Sequence, residues 1–210
     1  MNNTLSLKDA ISRAWEAFVK HVGTFVTVTF VFLVLSMLIG SVDQKSEYGP
    51  LAGIIAIFIS FFASYVSIRL ALVTVRGGVP MWKDAVTIEW RWFGWYVFAS
   101  LLSAVVYVVG FTLFIIPGFF LLTRLALFNF ALIDEQLLPI GSMKRSWNLT
   151  QGHFWQMFVA GIIIVGLNIA GSQLFGIGIL ISSPLSFLFS AYIYEKLREA
   201  SVPVISSKVI

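Results

Sequence analysis

Arg124 stands inside an apolar stretch that runs from Ile115 to Ile133, where a charged side chain costs roughly 2.5–3.5 kcal/mol on insertion scales and points to a function by default. A guanidinium there can hold a phosphate or carboxylate through paired N–H groups. It can also reach outer headgroups, or bond carbonyls freed by the Pro117-Gly118 break that precedes it. After the acidic pair Asp134-Glu135 come Lys144, Arg145 and Trp147. Their types suit a membrane surface: the cations meet lipid phosphate while the indole sits between headgroup and acyl chain. Arg124, Lys144, Arg145 and Trp147 are therefore the candidate ligand or headgroup residues, and Pro117 with Gly118 is a candidate structural hinge. Arg69, nearer the end of its own apolar run, is expected to snorkel. Asn129, Asn168 and Gln173 read as interhelical hydrogen-bonding groups.

The missing groups narrow the chemistry further. Asp9, Glu16, Asp43, Glu47, Asp84, Glu89, Asp134, Glu135, Glu195 and Glu199 are all of the carboxylates, and every one lies outside the apolar cores. A proton- or sodium-coupled carrier keeps an acid within its bundle, so that class loses support. No catalytic residue is expected, because the chain has no GxSxG, HExxH or P-loop motif and no paired acids in a plausible cleft. His21 and His153 lack metal-ligand spacing even with Asp134-Glu135 as a further source, so neither a metal site nor a cofactor is expected. With no cysteine there is no disulfide and no thiolate ligand.

Such residues need elements to hold them, and the composition says which. Of 210 residues 59% are hydrophobic and only 11% charged, with a mean hydropathy of +0.92. This is an integral membrane composition, and the expected fold is an all-α bundle of six transmembrane helices forming a single domain over residues 1–210. A spanning helix takes about 20 apolar residues, and the spans are expected at 22–39, 51–75, 97–116, 119–133, 154–174 and 177–194. The first lacks a convincing cleavage pattern and reads as a retained span, not a signal peptide. The fourth is short, about 22 Å at 1.5 Å per residue, so it either thins the bilayer or draws the Pro117-Gly118 turn below the surface.

The net charge of +4 reflects topology rather than nucleic-acid binding, because the basic residues are dispersed between apolar runs. Eleven Lys and Arg fall on one side of the six spans and only Lys45 on the other, with Arg69 and Arg124 left inside spans. The positive-inside rule then places both termini in the cytoplasm of a cell whose plasma (inner) membrane holds the chain.

The basic segments resemble one another. With Trp15, Trp90 and Trp147 in register, Lys8-Asp9-Ala10 falls on Lys83-Asp84-Ala85, Phe18 on Phe93, Arg13 on Arg145 and His21 on His153. Each copy reads as an amphipathic interfacial helix leading into a pair of spans, giving three parallel helix-pair repeats. In the first copy Leu7, Ile11, Ala14, Trp15 and Phe18 form the apolar face. Small residues at 52, 56, 60 and 64, and at 182, 186 and 190, recur every four positions and mark the second and sixth spans as the bundle interior. Glycines 161, 166, 171 and 176 recur every five, which scatters them around the fifth span.

The run IPGFFLLTRLALFNFALIDE followed by GSMKRSWNLTQGHFW resembles a membrane-domain family found in some bacterial glycerophosphoryl diester phosphodiesterases and in related uncharacterised multi-span membrane proteins. Pro117-Gly118, Arg124, Asp134-Glu135, Gly141, Arg145-Ser146-Trp147, Leu149-Thr150, Gly152 and Phe154-Trp155 carry it, with Arg76-Gly77-Gly78-Val79-Pro80 before Trp82 as a second match. The resemblance implies a six-helix membrane domain. It does not bring the phosphodiesterase activity, which resides in a separate soluble domain for which the dozen or so residues after the last span leave no room.

Two function classes follow. The first is a non-enzymatic scaffold or accessory protein that engages anionic lipid on the cytoplasmic face, or a protein partner or second copy of itself. The second is a transporter or channel for a small solute or lipid, using the broken hairpin and Arg124.

Overall fold

The computed structural model describes residues 6–43, 45–81, 87, 89–173 and 178–201. The second lead-in, Trp82 to Ala85, lies outside the described residues. Nine helices are described: α1 (Leu7–Lys20), α2 (Val22–Gly40), α3 (Gly49–Val75), α4 (Trp90–Leu113), α5 (Ile115–Arg124), α6 (Phe128–Glu135), α7 (Pro139–Leu149), α8 (Phe154–Gln173) and α9 (Ile179–Ser201). Among the described residues there is no strand.

Five segments are long and apolar enough to cross a membrane, namely α2, α3, α4, the α5–α6 run and α8. They are apolar on nearly every face, and α2, α3, α4 and α8 bury little against the rest of the bundle, which is the pattern of helices solvated by hydrocarbon. Only Phe25 and Val28 of α2 are buried, while Ile54 on α3 and Trp155 on α8 are 66% and 73% exposed.

The axis of the bundle is α9. It packs against α1, α2, α3, α7 and α8, and Leu188, Phe189, Ala191 and Tyr194 are fully buried. Its apolar stretch begins at Ile179 and gives way to Glu195, Lys196, Arg198 and Glu199 in the last two turns, so it is not among the five. Of the two small-residue stripes, Ser182 and Ser186 are buried as an interior helix requires, whereas Ser60 of α3 is exposed. Most buried residues of α3 lie in its second half, from Tyr65 to Thr74, although Ala52 of the stripe is buried as well.

Helix α1 starts where Ser6 Oγ accepts the Asp9 N–H at 3.3 Å, with Asp9 in the first turn and Lys20 in the last, both favourable to the helix dipole. Ala10, Ala14, Ala17 and Phe18 are buried, and the helix packs chiefly on α9. Ala14 and Phe18 thus face inward while Trp15 is half exposed. The rings of Trp15 and Phe18 lie 6.0 Å apart and those of Trp90 and Phe93 6.1 Å apart. The register matches these two pairs, although Trp15 stands in mid-helix and Trp90 is the first residue of α4.

The third and fourth spans differ from expectation. Helix α4 begins at Trp90 rather than 97, because Phe93 and Tyr96 dock on Tyr65 of α3 at ring distances of 5.5 and 5.6 Å and extend the helix back. It stops at Leu113 rather than 116, because Phe114 is extended (φ −162°, ψ 151°) and makes the turn by itself. Pro117 and Gly118 are not the hinge: both lie in the first turn of α5, where proline removes a donor that would have no partner in the helix. Gly118 serves close approach instead. A Cβ on it would overlap the Phe111 ring, and one on Gly110 would stand 2.7 Å from Leu121 Cδ1. The turn is strongly exposed and apolar, with Leu113, Phe114, Ile115 and Ile116 between 64% and 82% accessible. The chain breaks instead at Leu125–Leu127, between α5 and α6.

Candidate functional site

That break leaves the Arg124 carbonyl and the Leu127 N–H outside the helical ladder, and in an apolar setting both need partners. Helix α7 supplies them. Ser146 Oγ donates to the Arg124 carbonyl at 2.9 Å and accepts from the Leu127 N–H at 3.1 Å, and Thr150 Oγ1 stands 3.3 Å from the same carbonyl. Ser142, Ser146 and Thr150 are fully buried, one above another at four-residue spacing. The Trp147 segment, expected to lie flat on the surface, is therefore docked into the bundle along this hydroxyl stripe, against α6, α4 and α9.

The Arg124 side chain follows the same contact and does not turn to outer headgroups. Its Nη1 donates to the Thr150 carbonyl at 2.9 Å, at the C-cap of α7, where a cation also meets the negative end of the helix dipole. Its guanidinium carbon lies 5.2 Å from the Phe120 ring centroid, 5.4 Å from Trp147 and 5.9 Å from Phe154. Three aromatic rings thus surround the partly buried charge. Arg124 Nε is buried without a hydrogen-bond partner among the described residues.

Arg145 is also engaged by protein. Its Nε lies 2.9 Å from Glu135 Oε1, so its charge is not free for a lipid phosphate. Glu135 belongs to a larger cluster where the ends of α3, α6 and α9 meet. Asp134 Oδ1 lies 2.6 Å from Arg76 Nη2, and Oδ2 lies 3.0 Å from Arg198 Nη1. Glu195 Oε1 pairs with Arg76 Nε at 3.1 Å and with Arg198 Nη2 at 2.6 Å. The buried Tyr194 hydroxyl stands 2.9 Å from Asp134 Oδ2 and 3.1 Å from Glu135 Oε1. Burial works against the Arg76 charge, yet hydrogen bonds to Glu195 and Asp134, with their negative charge, outweigh it and hold its pKa above the ordinary arginine value. The three arginines and three carboxylates cancel, so the cluster is a neutral clasp joining helix ends rather than an open ion site.

Lys144 is exposed and has no ion pair among the described residues. With Leu125, Met143, Trp147 and Asn148 it lines a groove of about 290 Å³. A larger cleft, about 620 Å³, opens between α4, the α5–α6 break and α8. Its walls are mostly apolar, and Asn129 lines it with Oδ1 buried and without a partner among the described residues.

No family model, no curated protein and no solved structure matches this chain. The resemblance drawn from Pro117-Gly118 through Trp155 rests on those residues alone.

The remaining expected groups are placed as follows. Asn168 Nδ2 donates to Ser186 Oγ at 2.9 Å and joins α8 to α9. Arg69 Nη1 donates to the Thr87 carbonyl ahead of α4. His153 Nδ1 lies 3.3 Å from the Gln151 carbonyl, and no three His, Asp or Glu side chains among the described residues could share a metal ion. Sequence reasoning missed the clasp and the hydroxyl stripe. The signal for the stripe was present as Ser142, Ser146 and Thr150 at helical spacing, opposite Lys144 and Trp147. The signal for the clasp was the near-equal number of acids and arginines at three helix ends.

Proposed function

We propose that this chain is a non-enzymatic integral membrane protein, a scaffold or accessory component that recognises anionic lipid at the cytoplasmic face of the plasma membrane. Six spans carry it, with α9 as the sixth and both termini cytoplasmic. Support for that topology comes from the clasp, since the C-terminal ends of α3, α6 and α9 can share ion pairs only on one side, as the second, fourth and sixth spans must. The eleven-to-one division of basic residues supports placing that side in the cytoplasm.

The observation that carries the lipid reading is Lys144, the one candidate cation left exposed and without an ion pair among the described residues, beside Trp147 on a helix fixed at the basic end. A transport role for Arg124 draws no support from this geometry: the guanidinium is spent on the Thr150 carbonyl and three rings, and it does not line the clefts described above. The test is the lipid retained after extraction in mild detergent from bilayers of phosphatidylglycerol and phosphatidylcholine. Phosphatidylglycerol enriched over the bulk ratio, and less so in Lys144→Glu, is the expected result. Retention at the bulk ratio in both proteins overturns the proposal.

A further inference from the structure

The groove at Lys144 and the cleft beside Asn129 adjoin. Leu125, the first residue of the break, lines both. Phe158, in the wall of the cleft, also stacks on Phe154 of the Arg124 cage at 6.2 Å. Depth orders them. Lys144 lies on the short helix at the basic end, while the cleft runs inward along α8 from Met157 to Val165 and along α4 from Ser100 to Tyr107. At 1.5 Å per residue the α8 wall is about 12 Å long, so the two recesses together run from the interface into the hydrocarbon.

We infer that this pair of recesses is a binding site for one anionic glycerophospholipid, with an acyl chain in the α4/α5/α8 cleft and the phosphate at Lys144. The inference rests on the proposed anionic-lipid role and names the site. Charge complementarity selects the head, because basic recesses between spanning helices on that side are the usual seats of anionic headgroups. Size fits as well: about 620 Å³ is within the roughly 300–1,000 Å³ of small-ligand sites. The serine-lined cleft between α2, α3 and α9 has no basic residue in its wall among the described residues.

The test uses phosphatidylglycerol and phosphatidylcholine carrying a photoactivatable diazirine in the acyl chain, incorporated with the full chain in nanodiscs and mapped by mass spectrometry of the cross-linked peptides. Labelling by the phosphatidylglycerol probe should concentrate on Phe158 to Val165 and Leu122 to Asn129, and unlabelled phosphatidylglycerol should compete it away. Gly161 lines the cleft and a Cβ there meets nothing within 4 Å, so Gly161→Leu directs a side chain into that space from an unobstructed Cβ, and Gly161→Ala is the control for the backbone change. Gly161→Leu should cut labelling at least fivefold with an unchanged melting temperature. Lys144→Glu should lower phosphatidylglycerol labelling about fivefold or more, the equivalent of about 1 kcal/mol per basic contact, and leave phosphatidylcholine labelling as it was. Labelling spread evenly over α2, α3 and α8 and indifferent to Gly161→Leu overturns the cleft, whatever the retained-lipid ratio. Cleft labelling equal for both probes and indifferent to Lys144→Glu overturns the headgroup assignment and the anionic-lipid role with it.

Discussion

Replacing Asp134 by alanine removes the acceptor shared by Arg76, Arg198 and the Tyr194 hydroxyl. The Asp134 side chain is only 6% exposed, while Arg76 and Arg198 keep 37% and 32% of theirs accessible. Deleting one partner of a fully buried pair costs roughly 3–5 kcal/mol. Here water can reclaim part of both guanidinium groups and Glu195 still holds each of them, so about 2–3 kcal/mol is expected. At 2–4 °C per kcal/mol for a chain of this size, the melting temperature should fall by roughly 5–10 °C. Arg145→Ala is the internal comparison. Its pair with Glu135 leaves both side chains about a quarter exposed, and such a pair is worth about 1 kcal/mol or less. The assay is thermal unfolding in a mild detergent followed by fluorescence-detected size exclusion, with mixed-micelle unfolding for the free energies. An Asp134→Ala shift no larger than that of Arg145→Ala would refute the clasp as the joint between α3, α6 and α9.

Trp147→Ala should lower the melting temperature more than Trp92→Ala, by the equivalent of about 1–2 kcal/mol, because Trp147 contacts both the Arg124 guanidinium and Phe120; equal shifts in parallel melts would count against the cage. Gly118→Ala should cost about 1–3 kcal/mol by driving a methyl group into the Phe111 ring, whereas Gly161→Ala should be neutral or slightly stabilising, as read by the same melts. Reporter fusions after Tyr48 should face outward and those after Lys83, Ser142 and Ile210 inward, and an outward signal at Ser142 would contradict six spans with the clasp inside.

Hydropathy made the long apolar helices legible because lipid solvates them singly, so each segment's own composition decides its fate. Their ends were less legible. Residues 90–96 carry Arg91 and three tryptophans, a pattern that reads as interface, and only the packing of Phe93 and Tyr96 on Tyr65 makes them the first turns of α4. Pro117-Gly118 drew attention as punctuation, yet proline in a first turn obeys the helix and the stop falls on Phe114, a residue with no turn signature. Arg124 was recognisable as a charge needing an explanation, but apart from Phe120 one turn back on its own helix its partners are Trp147 and Thr150 at the end of α7 and Phe154 of α8. Arg145 was misread for the same reason: its partner Glu135 is set by how α6 and α7 fold back on each other, not by spacing along one helix.

The single-residue turn at Phe114 bears on how the chain enters a bilayer. No charge lies between Arg91 and Arg124, and Leu113 to Ile116 are exposed apolar side chains, so the α4–α5 turn carries no charge into the bilayer. The two helices can partition sideways into lipid as one preformed hairpin, already closed where Gly110 meets Gly118. The 41–48 connection is different, since under the proposed topology Asp43, Lys45 and Glu47 are carried through hydrocarbon before α2 and α3 pair. Adding two aspartates at the Phe114 turn should therefore slow insertion of the middle of the chain in a cell-free translocation assay, while the same pair beside Asp43 should leave the rate as it is.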